Sequence, residues 1–178
     1  MNNINFLHLA PEQEIDDYLN WWILATQREP HMVSLDQSFK SDLLHAVIAL
    51  HGGRPVGAAA IVPARTATHE PINFGLKTVV ELGSNFVEPD FRRKGLARIF
   101  VEERIQIARE KGWFPVSVTT NSAIQDLFMK IGGRPMDNQE ELSELRKQLC
   151  MCPKGPCVCN FCPFAENAAW YFPENDTG

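Results

Sequence analysis

No stretch of this 178-residue chain approaches the roughly 20 consecutive apolar residues that a membrane-spanning helix requires, so no membrane partner is expected. The opening residues, MNNINFLHLAPEQE, hold neither a basic segment nor a long apolar run. A secretory signal is therefore not expected there, and the expected location is cytoplasmic. Basic residues are in the minority, 17 Lys and Arg against 22 Asp and Glu, for a net charge of −5. Non-specific nucleic-acid binding needs a basic face, so no nucleic-acid partner is expected. Histidines stand singly (His8, His31, His45, His51, His69) without ligand spacing. There are no internal repeats. Cysteine is missing until position 150, which leaves most of the chain to fold on its hydrophobic content alone.

That content suffices. With 44% hydrophobic and 22% charged residues, the composition is that of an ordinary globular protein with one sizeable core. Apolar periodicity predicts a helix over 12–27 after Pro11, with Ile15, Tyr18, Leu19, Trp22 and Ala25 as its buried stripe. A loop with a short helix is expected over 28–40. A hairpin follows, with strands 45–50 and 55–62 about Gly52 and Gly53. A flexible connection is expected over 66–71, then a strand over 78–87. An amphipathic helix should run from Gly95 to about Lys111, with Gly112 as its stop. A short strand over 114–119, a helix over 121–131, an acidic helical stretch over 140–149 and an apolar end at 168–172 complete the reading. The order is strand, helix, paired strands, strand, helix, strand, helix, tail. This is a mixed α/β domain in which the two strand–helix units of the second half place their strands parallel and adjacent.

The segment 81–97, ELGSNFVEPDFRRKGLA, carries the most information. A strand delivers Arg92, Arg93, Lys94 and Gly95 to a helix N-terminus. Amide N–H groups of a first helical turn lack intrahelical acceptors, and the helix dipole favours negative charge there. On an acidic protein, three consecutive cations are a local exception. From Asp137 onward, seven acidic residues face only three basic ones, which sharpens the contrast. A pyrophosphate is the natural ligand of such a turn; the alternative is a solvated basic corner.

Here the residues resemble the GNAT superfamily of N-acetyltransferases. Its signature, Gln/Arg-x-x-Gly-x-Gly/Ala after a strand, stands as Arg92-Arg93-Lys94-Gly95-Leu96-Ala97, led in by Phe86-Val87-Glu88-Pro89-Asp90-Phe91. A second family motif is matched by the helix that Asn121 opens and Leu127-Phe128-Met129-Lys130-Ile131-Gly132 closes. The resemblance covers 46–135 and fades beyond Pro135. It implies a single-domain mixed central sheet flanked by helices, acetyl-CoA as acyl donor and an amine-bearing acceptor, small molecule or protein. It implies that Phe86 and Val87 meet the pantetheine and thioester through their main chain. Arg92, Arg93, Lys94, Gly95, Leu96, Ala97 and Arg98 would hold the pyrophosphate. Asn121 matches a position that often contacts the cofactor, and Phe128 would pack beside its sulfur end. Many family members have a tyrosine where Phe128 stands, proposed to protonate the departing thiolate; phenylalanine has no proton to give. Glu81, eleven residues before Arg92, matches the general base of some members; a strand glutamate paired with a surface cation is the other reading. Trp21 borders the acceptor or simply packs.

All five cysteines fall within 150–162: Cys150, Cys152, Cys157, Cys159 and Cys162. Four thiolates could close a tetrahedral zinc site, with Cys152, Cys157, Cys159 and Cys162 as ligands and Cys150 as alternate. The other reading is a loop of reduced thiols. The expected organisation is an acyl-CoA-binding domain over 1–136 with its motif core at 78–135. An acidic, cysteine-rich C-terminal extension over 137–178 would pack on the same domain. The expected activity is acetyl-CoA-dependent N-acetyl transfer, against non-catalytic acyl-CoA binding or metal or redox sensing on the same fold.

Overall fold

The structure, a computed structural model, describes residues 4–10, 15–29, 35–66, 70–119, 121–136, 140–149 and 169–173. The chain falls into two compact units. One comprises Met1–Val62 and Leu82–Arg104, the other Pro63–Glu81 and Ile105–Gly178.

In the first unit, β1 (Ile4–Leu9) lies antiparallel to β2 (His45–His51), with Ile4 opposite His51 and Leu9 opposite Ala46. The sequence placed a strand first in the order without fixing its bounds. β2 turns at Gly52 (φ 58°) and Gly53 (φ 79°) into β3 (Arg54–Pro63). Two consecutive positive φ values make the two-residue turn that the strand twist favours, which is why two glycines stand there. β5 (Lys77–Val87) lies beside β3, after the two-residue β4 (Asn73–Phe74). The Glu88 N–H donates to the Val56 carbonyl at 2.9 Å. Gly57 makes the close approach possible: a Cβ there would stand 2.9 Å from ring carbons of Phe100 and 3.2 Å from the Phe86 carbonyl oxygen.

The helix α1 (Asp16–Gln27) follows the predicted stripe. Ile15, Leu19, Trp22 and Ala25 are buried, joined by Ile23. They pack with Ala46, Ile48, Ala58, Ala60 and Phe86 into this unit's core. A short helix is expected over 28–40; α2 (Phe39–Asp42) begins at the end of that stretch and runs past it. Ahead of it, the Ser38 hydroxyl and amide donate to Asp36 and hold its carboxyl below the usual range.

In the second unit the start of β5 pairs in parallel with β6 (Phe114–Val118), Val79 opposite Phe114 and Glu81 opposite Val116. The parallel adjacency predicted from the two strand–helix units is therefore present. β6 pairs antiparallel with β8 (Ala169–Tyr171), which in turn pairs with β7 (Arg134–Pro135). The apolar end of the chain is thus a strand. Its core gathers Ala64, Ile72, Val79, Val116, Met136 and Tyr171 with Leu142, Leu145 and Leu149, the last three on the 3-10 turn Glu140–Leu142 and on or just after α5 (Ser143–Gln148). The connection expected to be flexible is pinned at its ends. Arg65 bridges Pro71, and the Thr66 amide donates to the Glu70 carbonyl.

Two helices follow the motif strands. α3 (Leu96–Glu110) ends where Gly112 takes φ 70°, as its glycine predicted. α4 (Ser122–Lys130) is capped by Asn121, whose Oδ1 accepts from the Ala123 amide at 3.0 Å. Beyond it, Gly133 donates to the Phe128 carbonyl at 2.8 Å. A Cβ on Gly133 would stand 3.0 Å from that same backbone oxygen and 2.8 Å from the Phe172 ring. The ring can move aside and the backbone cannot, so Gly133→Ala should destabilise the protein by about 1–3 kcal/mol, read by thermal unfolding. No helix among the described residues is long and apolar enough to cross a membrane.

Candidate functional site

In the first unit the chain leaves β5 at Val87, makes a 3-10 turn at Pro89–Phe91 and reaches α3 through Arg92, Arg93, Lys94 and Gly95. Proline and a compact turn reverse the direction, and two positive φ values, Arg93 at 61° and Gly95 at 81°, aim the backbone. Gly95 adopts that conformation without a Cβ penalty; at Arg93 it is uncommon. The Gly95 carbonyl accepts from Arg98 and Ile99 and opens the helix. The amides of Arg93, Lys94, Gly95, Leu96 and Ala97 find no backbone acceptor among the described residues. Successive free N–H groups at a helix head form an anion-binding concavity.

The side chains of this turn divide the labour differently from the sequence expectation. Arg92 turns back on the protein: its Nε donates to the Val87 carbonyl at 2.9 Å and its Nη2 to Glu29, just past the end of α1. Arg98 is engaged with Glu102 one turn along, at 2.8 Å. Lys94 lies over the Phe91 ring, its Nζ 4.7 Å from the centroid. Arg93 is exposed and makes no ion pair among the described residues. The backbone and Arg93 are thus the turn's uncommitted anion donors, while Arg92 braces it. Leu96 is buried and anchors the helix head.

On β5, Phe86 is buried with its ring edge-to-face against Trp21, centroids 5.6 Å apart. Trp21 is thereby a packing neighbour of the strand. Ser84, in mid-strand, has φ 51°. Such a residue kinks a strand as a bulge does, and the β5–β6 register already ends at Glu81 and Val116. The C-terminal part of β5 therefore continues past the end of its parallel ladder.

Glu81, Asn121 and Phe128 belong to the second unit. Glu81 is half-buried, at the last paired position of that ladder. Asn121 spends its side-chain oxygen on the α4 cap, and its amide nitrogen makes no hydrogen bond among the described residues. Phe128 is 2% exposed, with its ring edge-to-face against Trp170 (5.7 Å) and Phe172 (5.2 Å). Its position is that of a core aromatic. The five cysteines lie outside the described residues. Among the described residues no group of three His, Cys, Asp or Glu side chains could hold a metal.

Sequence reasoning passed over Ser84, Glu29 and Arg104. The last had a signal: a charged residue one turn after Phe100 on the apolar stripe of α3.

The acetyltransferase (GNAT) family model matches residues 11–132. The chain belongs to the GNAT acetyltransferase family. The resemblance carried by the turn and the Asn121 helix is borne out, and with it the acyltransferase class. No curated protein matches the chain significantly in sequence. Among solved structures it is similar to a GNAT-family acetyltransferase from Staphylococcus aureus, 13% identical, over 95% of this chain and 98% of that one (TM-score 0.57). It is also similar to a GNAT-family acetyltransferase from Elizabethkingia anophelis with acetyl-CoA bound, 18% identical over 77% and 80% (TM-score 0.53). A third is an aminoglycoside N-acetyltransferase in complex with CoA, 21% identical over 73% and 87% (TM-score 0.55). At these identities the likeness is one of fold, and it confirms the mixed α/β architecture with helices about the sheet.

Proposed function

We propose that this GNAT protein is an acetyl-CoA-dependent N-acetyltransferase that passes the acetyl group directly to an amine. The observation carrying this reading is the turn at 92–97, where five amides without a backbone acceptor among the described residues head a 15-residue helix. A pyrophosphate suits that donor set, and Arg93 and Lys94 add positive charge beside it. Acetyl-CoA, when bound, supplies an acyl group already activated as a thioester. The protein's own work is to hold, to orient and to move a proton. The turn would hold the pyrophosphate. The main chain at Phe86 and Val87 would orient the pantetheine arm, and a strand N–H there would polarise the acyl carbonyl. Asn121 would offer its amide nitrogen. Glu81 would take the proton of the acceptor amine.

The family match over 11–132 supports the reading of 1–136 as the acyl-CoA-binding domain, with 137–178 an acidic segment packed on it. The net charge of −5 favours a cationic acceptor, small molecule or protein, and a cytoplasmic setting is the companion proposal. Calorimetry with acetyl-CoA, paired with thiol release over a panel of amines, tests the activity. Binding without release for any amine would overturn direct amine transfer and favour the non-catalytic alternative that Phe128 motivates.

Phe128 supplies a prediction of its own. Its ring is enclosed by Trp170 and Phe172, so Phe128→Tyr should bury a hydroxyl and destabilise the protein by about 1–3 kcal/mol, with no gain in turnover. A rise in kcat would instead place position 128 at the sulfur end of the donor. For the cysteine segment, Cys152, Cys157, Cys159 and Cys162, with Cys150 as alternate, are numerous enough to close a zinc clip, against a loop of reduced thiols. Elemental analysis of protein purified without added metal decides between them: zinc near stoichiometry supports the clip. Negligible metal with five titratable thiols would end that reading.

A further inference from the structure

Arg104 is 1% exposed on the inner face of α3. Its Nε donates to the Phe100 carbonyl one turn back, and its Nη1 donates both to the Ala60 carbonyl in β3 and to the Gly83 carbonyl in β5, each at 2.9 Å. A guanidinium withdrawn from water is unfavourable unless its N–H groups are met, and an apolar side chain of similar volume often serves stability as well or better. The charge at this position is better explained by what it orients. Gly83 is followed directly by Ser84 with φ 51°, a conformation that a serine seldom adopts unless its surroundings impose it. Fixing the Gly83 carbonyl fixes the peptide plane leading into that kink. The next residue, Asn85, keeps a buried side-chain oxygen with no hydrogen-bond partner among the described residues. An amide N–H of an incoming pantetheine arm is a donor of the chemistry it lacks.

We propose that Arg104 is a positioning residue: through Gly83 it holds the Ser84 kink, and so presents the strand from Asn85 to Val87 to the amide-bearing arm of the acyl donor. The proposal rests on the reading that this strand carries the arm while the 92–97 turn carries the pyrophosphate. It adds that Arg104 acts on the arm, because the strand bond it makes at Gly83 stands at the entry to the arm-bearing segment.

The test separates the two halves of the donor. Wild type, Arg104→Lys, Arg104→Met and Ser84→Gly are titrated calorimetrically with acetyl-CoA and with phosphoadenosine diphosphate, the nucleotide half of CoA, and their unfolding temperatures are recorded. Arg104→Met should bind acetyl-CoA up to about tenfold more weakly, the loss expected of one neutral hydrogen bond between strand and arm. It should bind the nucleotide within about twofold of wild type, well inside that single-bond loss. Arg104→Lys, which keeps the charge but reaches fewer carbonyls, should recover part of the loss. Ser84→Gly, which relaxes the same backbone without touching the guanidinium, should show the same selectivity in smaller measure. Should Arg104→Met not fold, the lysine and glycine variants carry the comparison. Equal weakening for both ligands would make Arg104 a general structural residue and overturn the proposal, as would variants that bind both ligands like wild type. A wild type that binds acetyl-CoA but not the nucleotide would sink the turn reading, and the proposal with it.

Discussion

Glu81→Gln is expected to lower kcat about 10²–10⁴-fold while acetyl-CoA affinity stays near wild type. The demand for a base is set by the acceptor. An alkylamine of pKa about 10.4 is neutral in only roughly one molecule in 2,500 at pH 7, and only the neutral form attacks. Glu81 suits the task by placement: it is half-buried on β5, with its backbone held in register against Val116, so the carboxylate starts from a rigid strand and not from a loop. Glutamine preserves shape and hydrogen-bonding reach and removes the basicity. The sign of the pH effect follows. A carboxylate base works deprotonated, so kcat/KM should rise with pH through its titration in the wild type. In the glutamine variant that acid limb should vanish, leaving the rise governed by the amine alone. Steady-state thiol release across pH, with calorimetry for the donor, reads both effects. Unchanged kinetics would return Glu81 to the other reading, a strand glutamate with a structural partner.

What could be read from sequence follows the range of the interactions involved. The turn was legible because its determinants are contiguous: a strand, a proline, three cations and a glycine that takes φ 81°. The parallel pairing of β5 and β6 was legible because a strand–helix–strand connection leaves few alternatives. The bounds of α3 and α4 were set by Gly112 and by the Asn121 cap, both local. The division of labour among the cations was not legible. Arg92 is taken up by Glu29, 63 residues away, and no local pattern announces such a partner. Phe128 is enclosed by Trp170 and Phe172, which arrive on and just after a strand three residues long whose identity comes from its pairing more than from its own propensity. Ser84 has φ 51° without the glycine that signals one. The places where local signals fell silent are thus the ones imposed by tertiary contacts, and two of them, Ser84 and Arg92, adjoin the candidate donor site.

Gly95→Asp should weaken acetyl-CoA binding about 10²–10⁴-fold, the loss of roughly two charge-assisted hydrogen bonds of about 1.5–3 kcal/mol each, and it should do so without unfolding the protein. Gly95 has φ 81° at the head of α3. Aspartate tolerates a positive φ better than most residues and is a favoured helix cap, so the helix itself should survive. Its carboxylate, however, would accept from the first-turn amides that the pyrophosphate needs, and its charge would repel the ligand. The substitution turns the proposed ligand's own chemistry against it. Gly95→Ala is the control: it adds the backbone strain of a Cβ at positive φ, about 1 kcal/mol, without an anion, and should weaken binding far less. Calorimetry with acetyl-CoA, beside thermal unfolding, distinguishes the two. Equal effects from alanine and aspartate would mean that Gly95 matters only for backbone conformation, and the turn would lose its standing as the anion cradle. A large aspartate-specific loss that shrinks as salt is raised would mark the interaction as electrostatic. Arg92, braced against Val87 and Glu29, should then contribute mainly by holding the turn in shape, so that neutralising it loosens the cradle less than filling it with an aspartate does.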